Sequence, residues 1–327
     1  MRPGFGQFNV ATPEYLRFAS QFGVKDILLN NPILQEEKPG VWSKKELVKL
    51  KLNIESYGLQ LSAIENVPTH FYDHIMLNGP NKNQQLDNMI QNITHMADID
   101  IPIFGYNWMP SHVWRTAPKV IRGGSIATAF DYEFANQMPI THDREYTESE
   151  MWENLEEWIK IITPIAEEKN IRLGIHPCDP PVKNLGGIPQ LFRSFESYKR
   201  LIDIVDSPSN GIEFCQGTFS EMEDAKDGGI YEMIDFFSSR KKILYVHFRN
   251  VSGTVPKFNE EFINTGYVDM HKAMKIYHKN GFDSFFIDDH VPQTFEDSDW
   301  GHRGRAFANG YIQALIESVI KENKFDV

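Results

Sequence analysis

The sequence has little cysteine, no long apolar run and a shortage of basic residues, and each of these excludes a class of protein. Two cysteines in 327 residues cannot build the disulfide framework of a small secreted domain. No stretch approaches the roughly 18 apolar residues that predict a transmembrane helix. The N-terminal residues MRPGFGQFNV lack the apolar centre of a secretory signal peptide. The expectation is a cytoplasmic protein with no membrane partner.

The charge balance argues against a nucleic-acid partner. Lys and Arg number 33 against 45 Asp and Glu, which gives a net charge of −12. Binding to nucleic-acid phosphates requires clustered basic side chains, so no such partner is expected. A small anionic substrate stays open, because a metal ion or one Arg can reverse the electrostatic field locally.

Short strand-like runs alternate with amphipathic helical segments along the chain. The predicted strands span 2–8, 26–30, 59–65, 101–107, 171–176, 211–215, 243–248 and 284–290. The predicted helices span 13–23, 43–58, 84–99, 148–170, 195–205, 229–238, 268–281 and 304–322. Such alternation predicts right-handed parallel βαβ units, and eight of them predict a (β/α)8 TIM barrel as a single domain, 1–327. The alternative, an open doubly wound sheet, lacks a glycine-rich phosphate turn after the first strand.

One connection is much longer than the others. Residues 107–147 follow the fourth strand and are rich in Trp, Pro, Gly and Thr. Connections of this length inside a compact domain often form lids or substrate-binding segments. The sequence therefore predicts a long loop insertion between strand 4 and its helix.

Strands 5 to 8 end in side chains that can bind a transition metal. In chain order these are His176, Cys215, His247 and Asp289. The ends of barrel strands meet at the C-terminal face, where active sites of this fold lie. A single His or Cys in such a place is usually hydrogen-bonded or fills core space. Four on successive strands predict a metal site, and mixed N, S and O ligands suit Mn, Fe, Co or Zn better than Mg or Ca.

Several segments together resemble the mannonate dehydratase family, from about Val41 to the C-terminus. They are VWSKKEL (41–47), IENVPTH (64–70), YNWMPSHVWRT (106–116), HPCDPP (176–181), GIPQLFRSFE (188–196), FCQGTF (214–219), VHFRN (246–250), GYVDM (266–270) and DDH (288–290). The resemblance implies a xylose-isomerase-like barrel and a metal-dependent hydro-lyase. Its substrate would be D-mannonate or a related aldonate, and its product a 2-keto-3-deoxy acid. The same four ligands are implied, with Mn²⁺ as the expected ion and Fe²⁺, Co²⁺ or Zn²⁺ as alternatives.

The resemblance also implies roles for other residues. Arg249 would hold the substrate carboxylate, because guanidinium binds carboxylates bidentately. His290 matches a family His and is the candidate acid or base, provided that the strand ends before it and lets it turn inward. Cys178 stands where the family usually has Asp and is not expected to bind metal. The substrate side of the long connection would be lined by Tyr106, Asn107, Trp114 and Arg115, although packing is an equal alternative for the aromatic rings.

Three segments depart from the family pattern. The family's Asp-His-Gly-His is Asp-His-Val-Pro here, at 289–292. A family Gly-Tyr pair falls within DWGHRGR, so its Tyr aligns with Trp300 or, with a gap, with His302. Only the imidazole can transfer a proton in this range, which makes His302 the second catalytic candidate. The family's Gly-Asp-x-Asp becomes Gly-Tyr-Val-Asp at 266–269.

Two other functions stay open at this point. A sugar or sugar-acid isomerase or epimerase would use the same barrel and metal without loss of a hydroxyl group. A non-catalytic sugar-acid binding protein would fit the loss of the family Tyr. A homodimer is expected by analogy with related barrels.

Overall fold

The computed structural model describes residues 1–325, and its centre is a closed barrel of eight parallel strands. Strands β1 to β8 span Arg2–Phe5, Asp26–Asn30, Gln60–Glu65, Ile103–Tyr106, Arg172–Ile175, Asn210–Cys215, Ile243–His247 and Phe285–Ile287. Around the barrel each strand pairs with its neighbours in sequence, and β8 closes on β1. The predicted (β/α)8 barrel is confirmed. Residues 326–327 of the predicted domain lie outside the described residues.

Eight helices alternate with these strands. Helices α1 to α8 span Pro13–Gln21, Lys44–Glu55, Lys82–Ala97, Glu148–Glu168, Phe195–Ile204, Gly229–Ser239, Met270–Lys279 and His302–Phe325. Their starts follow from sequence: Thr147 and Ser194 form capping boxes before α4 and α5, and the Asp269 side chain accepts from the Lys272 amide at α7. None of the helices described within residues 1–325 is long and apolar enough to cross a bilayer.

Shorter elements decorate the connections. Short helices span Thr69–Phe71, Asp73–Met76, Arg122–Gly124, Tyr132–Ala135, Gln216–Glu221 and Glu223–Gly228. Short strands form hairpins from Glu36–Lys38 with Val41–Trp42, Lys119–Val120 with Ile126–Ala127, and Asn184–Leu185 with Ile188–Pro189.

The segment from 107 to 147 contains regular structure. Within it, Ala129–Asp131 pairs antiparallel with Lys257–Glu261, which in turn pairs with Asn250–Val251. The two longest connections at the C-terminal face, after β4 and after β7, are thus joined in one small sheet. This pairing brings Arg115 and Glu260 together above the barrel.

The last strand is shorter than the sequence predicts. The expectation that strand 8 extends to His290 is wrong, because β8 ends at Ile287. Asp289 has a positive φ of 57°, a left-handed conformation that strand backbone does not adopt. This turn lets Asp289 and His290 both contact groups at the C-terminal face.

Candidate active site

The four side chains predicted as metal ligands meet at the C-terminal end of the barrel. The donor atoms of His176, Cys215 and His247 lie within 4.8 Å of one another. Asp289 Oδ1 is 3.3 Å from His247 Nδ1, and Asp289 Oδ2 is 3.7 Å from Cys215 Sγ. All four residues are buried. Metal–ligand bonds of about 2.0–2.3 Å in a tetrahedron would place donor atoms roughly 3.3–3.8 Å apart, so this spacing fits one ion.

Hydrogen bonds orient both imidazole rings for metal binding. His176 Nδ1 lies 2.7 Å from the Pro177 carbonyl oxygen, and His247 Nε2 lies 2.9 Å from a Glu65 oxygen. Each ring can therefore donate one N–H and keep a lone pair on its other nitrogen. His247 Nδ1 is buried and has no hydrogen-bond partner in the described part of the chain. Metal-binding histidines commonly have this arrangement.

The electrostatics favour a thiolate and a cation at this point. Burial alone raises the pKa of Cys215, but the positive charge of Arg249 and the neighbouring His176 and His247 outweigh burial and lower the pKa to about 6. Burial lowers the pKa of His247, yet the nearby Glu65 and Asp289 carboxylates raise it well above its usual value. The site therefore favours a deprotonated sulfur and a cation, and a bound metal ion would replace the proton at His247 Nδ1.

The sequence did not predict two carboxylates that lie beside these ligands, those of Glu65 and Glu213. Glu213 Oε1 lies 3.0 Å from His247 Nε2 without hydrogen-bond geometry, and neither Glu213 oxygen has a hydrogen-bond partner among residues 1–325. Burial and the neighbouring Glu65 raise the pKa of Glu213 to about 8. The signal was present, because a charged residue two positions before Cys215 shares its face of the strand. Glu65 ends β3 just as the predicted ligands end later strands.

Arg249 is enclosed by protein carboxylates. Its Nε lies 2.8 Å from Asp289, Nη1 2.8 Å from Glu221, and Nη2 3.2 Å from Asp179 and 2.9 Å from Thr218. The predicted role was to hold a substrate carboxylate, which would require displacing one of these groups. The geometry instead favours a role in positioning Asp289 and stabilising the Cys215 thiolate.

Arg115 extends this buried charge network from the long connection. It forms a bidentate pair with Asp179, at 2.6 and 2.8 Å, and contacts Glu260 at 2.8 Å. Trp114 donates to the Ser111 carbonyl and packs with the apolar cluster around Phe130. Both residues therefore have structural contacts that account for their positions.

Breaking the Arg115 network should destabilise the fold. Arg115→Leu is expected to lower the free energy of unfolding by about 3–5 kcal/mol, because Asp179 and Glu260 would stay buried without that partner. The matched variant Arg303→Leu changes a side chain that is 58% exposed, and a several-fold smaller loss is expected. Urea unfolding of both variants measures the difference. Equal losses would show that the buried network adds no stability.

Tyr106 does not line the substrate side, so this prediction is wrong. The ring is buried between the barrel and α4, with Trp158 at 5.9 Å between centroids. Side chains alternate along β4, and Gly105 is the residue that faces inward: a Cβ there would lie 2.8 Å from the Tyr245 hydroxyl. Asn107, the next predicted residue, does lie at the open face, where its amide donates to Asn66.

The structure separates the two catalytic candidates. His290 Nδ1 lies 3.0 Å from Glu260, and His290 Nε2 lies 3.6 Å from Asp289. With its side chain 39% exposed, His290 adjoins both the metal ligands and solvent. His302 contacts Ser298 and Glu14 and packs with rings of α1 and Trp300, away from the four ligands.

Comparisons with known proteins agree with the barrel fold. The profile of the family described as D-mannonate dehydratase (UxuA) matches residues 5–145 and 137–326. A mannonate dehydratase of Streptococcus uberis is 31% identical, with 98% of each chain covered. The crystal structure of mannonate dehydratase from Streptococcus suis serotype 2 superposes with a TM-score of 0.90 at 25% identity, covering 99% of this chain and 95% of the other. The structure of an L-ribulose 3-epimerase shares the fold, with a TM-score of 0.62 at 12% identity. The superposition covers 99% of this chain and 97% of the epimerase chain.

Proposed function

Because the chain belongs to the D-mannonate dehydratase family, we propose that it is a metal-dependent hydro-lyase acting on D-mannonate or a related aldonate. The product would be a 2-keto-3-deoxy acid. The observation that carries the proposal is the convergence of two imidazoles, one thiolate and one carboxylate at the open end of a barrel of this family. The match over nearly the whole chain supports the reaction class.

The proposed metal ligands are His176, Cys215, His247 and Asp289, with Mn²⁺ as the expected ion and Fe²⁺, Co²⁺ or Zn²⁺ as alternatives. Bound there, the ion would stabilise the negative charge that develops when a general base removes the proton from the carbon next to the substrate carboxylate. The free nitrogen of His247 and the low pKa of Cys215 support this ligand set.

His290 is the proposed general acid. Burial lowers its pKa, but Asp289 and Glu260 outweigh burial and raise the pKa to about 9. The Glu260 carboxylate, which is not a proposed metal ligand, favours the protonated imidazole, and this form could protonate the departing C3 hydroxyl. Glu260 accepts from Nδ1 and would hold the ring so that Nε2 faces the substrate. The contacts of His302 do not support the same role for that residue.

A substrate panel tests the reaction. The Mn²⁺-loaded protein is incubated with aldonic and uronic acids, and 2-keto-3-deoxy products are assayed. We expect at least one of these acids to lose one water molecule. A product of unchanged mass would indicate an isomerase or epimerase instead, and binding without turnover a non-catalytic sugar-acid binding protein. No product from any acid would contradict the proposed reaction.

The domain organisation, location and partners of the enzyme are proposals as well. We infer that the chain works as one barrel domain in the cytoplasm, on a small anionic sugar acid and without a nucleic-acid or membrane partner. A homodimer is proposed by analogy with related barrels, and sedimentation velocity would measure it.

A further inference from the structure

A line of side-chain amides crosses the open face of the barrel on the side formed by β1 to β4. Asn107 donates to Asn66, Asn66 to Asn30, and Asn30 to Gln7, at 2.9, 3.1 and 2.7 Å. Gln7 then donates to Glu65 at 3.0 Å. These residues follow or end β1 to β4, so four neighbouring strands each contribute one carboxamide. We call these residues, Gln7, Asn30, Asn66 and Asn107, the amide line.

The amide line connects directly to the candidate metal centre. Glu65 accepts from Gln7 through Oε1, and its Oε2 lies 2.9 Å from His247 Nε2. Two hydrogen bonds therefore separate Gln7 from a proposed metal ligand. A molecule held at the metal centre could extend along the line without leaving the barrel mouth.

Open space lies beside the amide line. A cavity of about 420 Å³ is lined by Gln7, Asn30 and Asn31, with Tyr15 and Trp300 as aromatic walls. A second cavity, of about 780 Å³, shares Asn9 and Asn31 with the first. Gln7 and Asn30 are only partly buried, so a ligand in the first cavity can reach their amides.

The amide line has unused hydrogen-bonding capacity. A carboxamide offers two N–H donors and two lone pairs. Gln7 and Asn30 each direct one N–H to a partner among residues 1–325, which leaves the second for a ligand. The backbone here is also held in an unfavourable conformation: Gln7 and Asn66 have positive φ values of 61° and 56°. Such non-glycine conformations cluster at ligand-binding positions.

The chemistry of the amide line matches hydroxyl groups. Carboxamides are uncharged and both donate and accept, as hydroxyls do, whereas a carboxylate or phosphate would be bound more strongly by Arg or Lys. Aromatic walls such as Trp300 can cover the apolar C–H faces of a polyol. We propose that the amide line binds the hydroxylated tail of a linear sugar acid, beyond the carbons that react. This inference rests on the proposed function and deepens it, because it restricts the substrate to chains long enough to reach Asn30.

The test compares Asn30→Leu with Asn83→Leu, a matched change at an exposed position on α3. Two properties are measured on the full-length Mn²⁺-loaded protein: the kcat/KM ratio of a six-carbon to a four-carbon aldonate, and the Kd of a hexitol by ligand-observed NMR. Losing this hydroxyl contact should lower the ratio and weaken hexitol binding by about 10-fold each in Asn30→Leu. Asn83→Leu should change neither. Asn30→Asp, which keeps the side-chain shape but removes the donors, should also weaken hexitol binding if the leucine variant fails to fold.

The outcomes separate this inference from the proposed reaction. A hexitol carries no carboxylate and gives no keto-acid product, so its binding does not depend on dehydration. One possible outcome is that the protein dehydrates no acid but binds a hexitol, and that Asn30→Leu weakens this binding. That outcome would support ligand binding by the amide line and contradict the proposed reaction. Dehydration with an unchanged substrate-length ratio in Asn30→Leu, or a wild-type protein that binds no hexitol, would overturn the amide line.

Discussion

Replacing Cys215 with alanine is expected to lower metal affinity at least about 100-fold. Changing a residue that only hydrogen-bonds to a metal ligand lowers the affinity by up to about 100-fold, and the loss of a ligand itself should cost at least as much. The thiolate supplies a donor atom and also part of the negative charge that holds the cation. Arg249 would then face the remaining carboxylates without the sulfur it now stabilises. Dehydratase activity should fall with metal content, and mass spectrometry of the dialysed protein for bound metal measures the loss.

The second cysteine supplies a matched control. Cys178 is also buried, but it belongs to the apolar core, and burial raises the pKa of its thiol to about 12. Cys178→Ala should keep the bound metal and the activity, with only a small loss of stability. If the two alanine variants retained metal equally, Cys215 would not be a ligand.

Replacing His290 with glutamine is expected to lower kcat by roughly 10²–10⁴-fold, the usual contribution of a general acid, while bound metal is retained. Glutamine keeps hydrogen-bonding capacity but cannot transfer the proton. The pH profile supplies a second readout. Because His290 acts protonated, the wild-type rate should fall as the pH rises through the pKa of this imidazole, and this limb should be absent from the variant.

His302→Gln is the competing variant, because sequence alignment alone allowed His302 to take the family Tyr position. Since His302 contacts Glu14 and Ser298 instead of the metal ligands, a change in kcat of less than about 3-fold is expected, small beside the loss from removing a general acid. A large loss in His302→Gln together with a small loss in His290→Gln would reverse the assignment. Metal content is measured for both variants so that a loss of ligand geometry is recognised.

Much of the site was predictable because the C-terminal ends of all eight strands lie close together in a barrel. His176, Cys215 and His247 were found because each follows or ends an apolar strand, and parallel strands end at one face. Asp289 was found although its strand ends two residues earlier. Glu213 was missed because it lies within β6, and the prediction of ligands used only the residues at strand ends.

Other features depended on tertiary contacts that no local pattern encodes. Tyr106 was assigned to the substrate side because it borders the long connection, but alternation along β4 directs it outward. The pairing of Arg115 with Glu260 requires segments 145 residues apart in sequence to form one small sheet. The amide line likewise joins single residues from four strands, and each of these looks like an ordinary polar strand end.

The most direct test of the central claim is a crystal structure of the Mn²⁺-loaded protein with the ion located by anomalous scattering. The expected result is one ion within bonding distance of His176 Nε2, Cys215 Sγ, His247 Nδ1 and an Asp289 oxygen. An ion bound instead between Glu65 and Glu213, or no ion at the barrel mouth at saturating Mn²⁺, would contradict it.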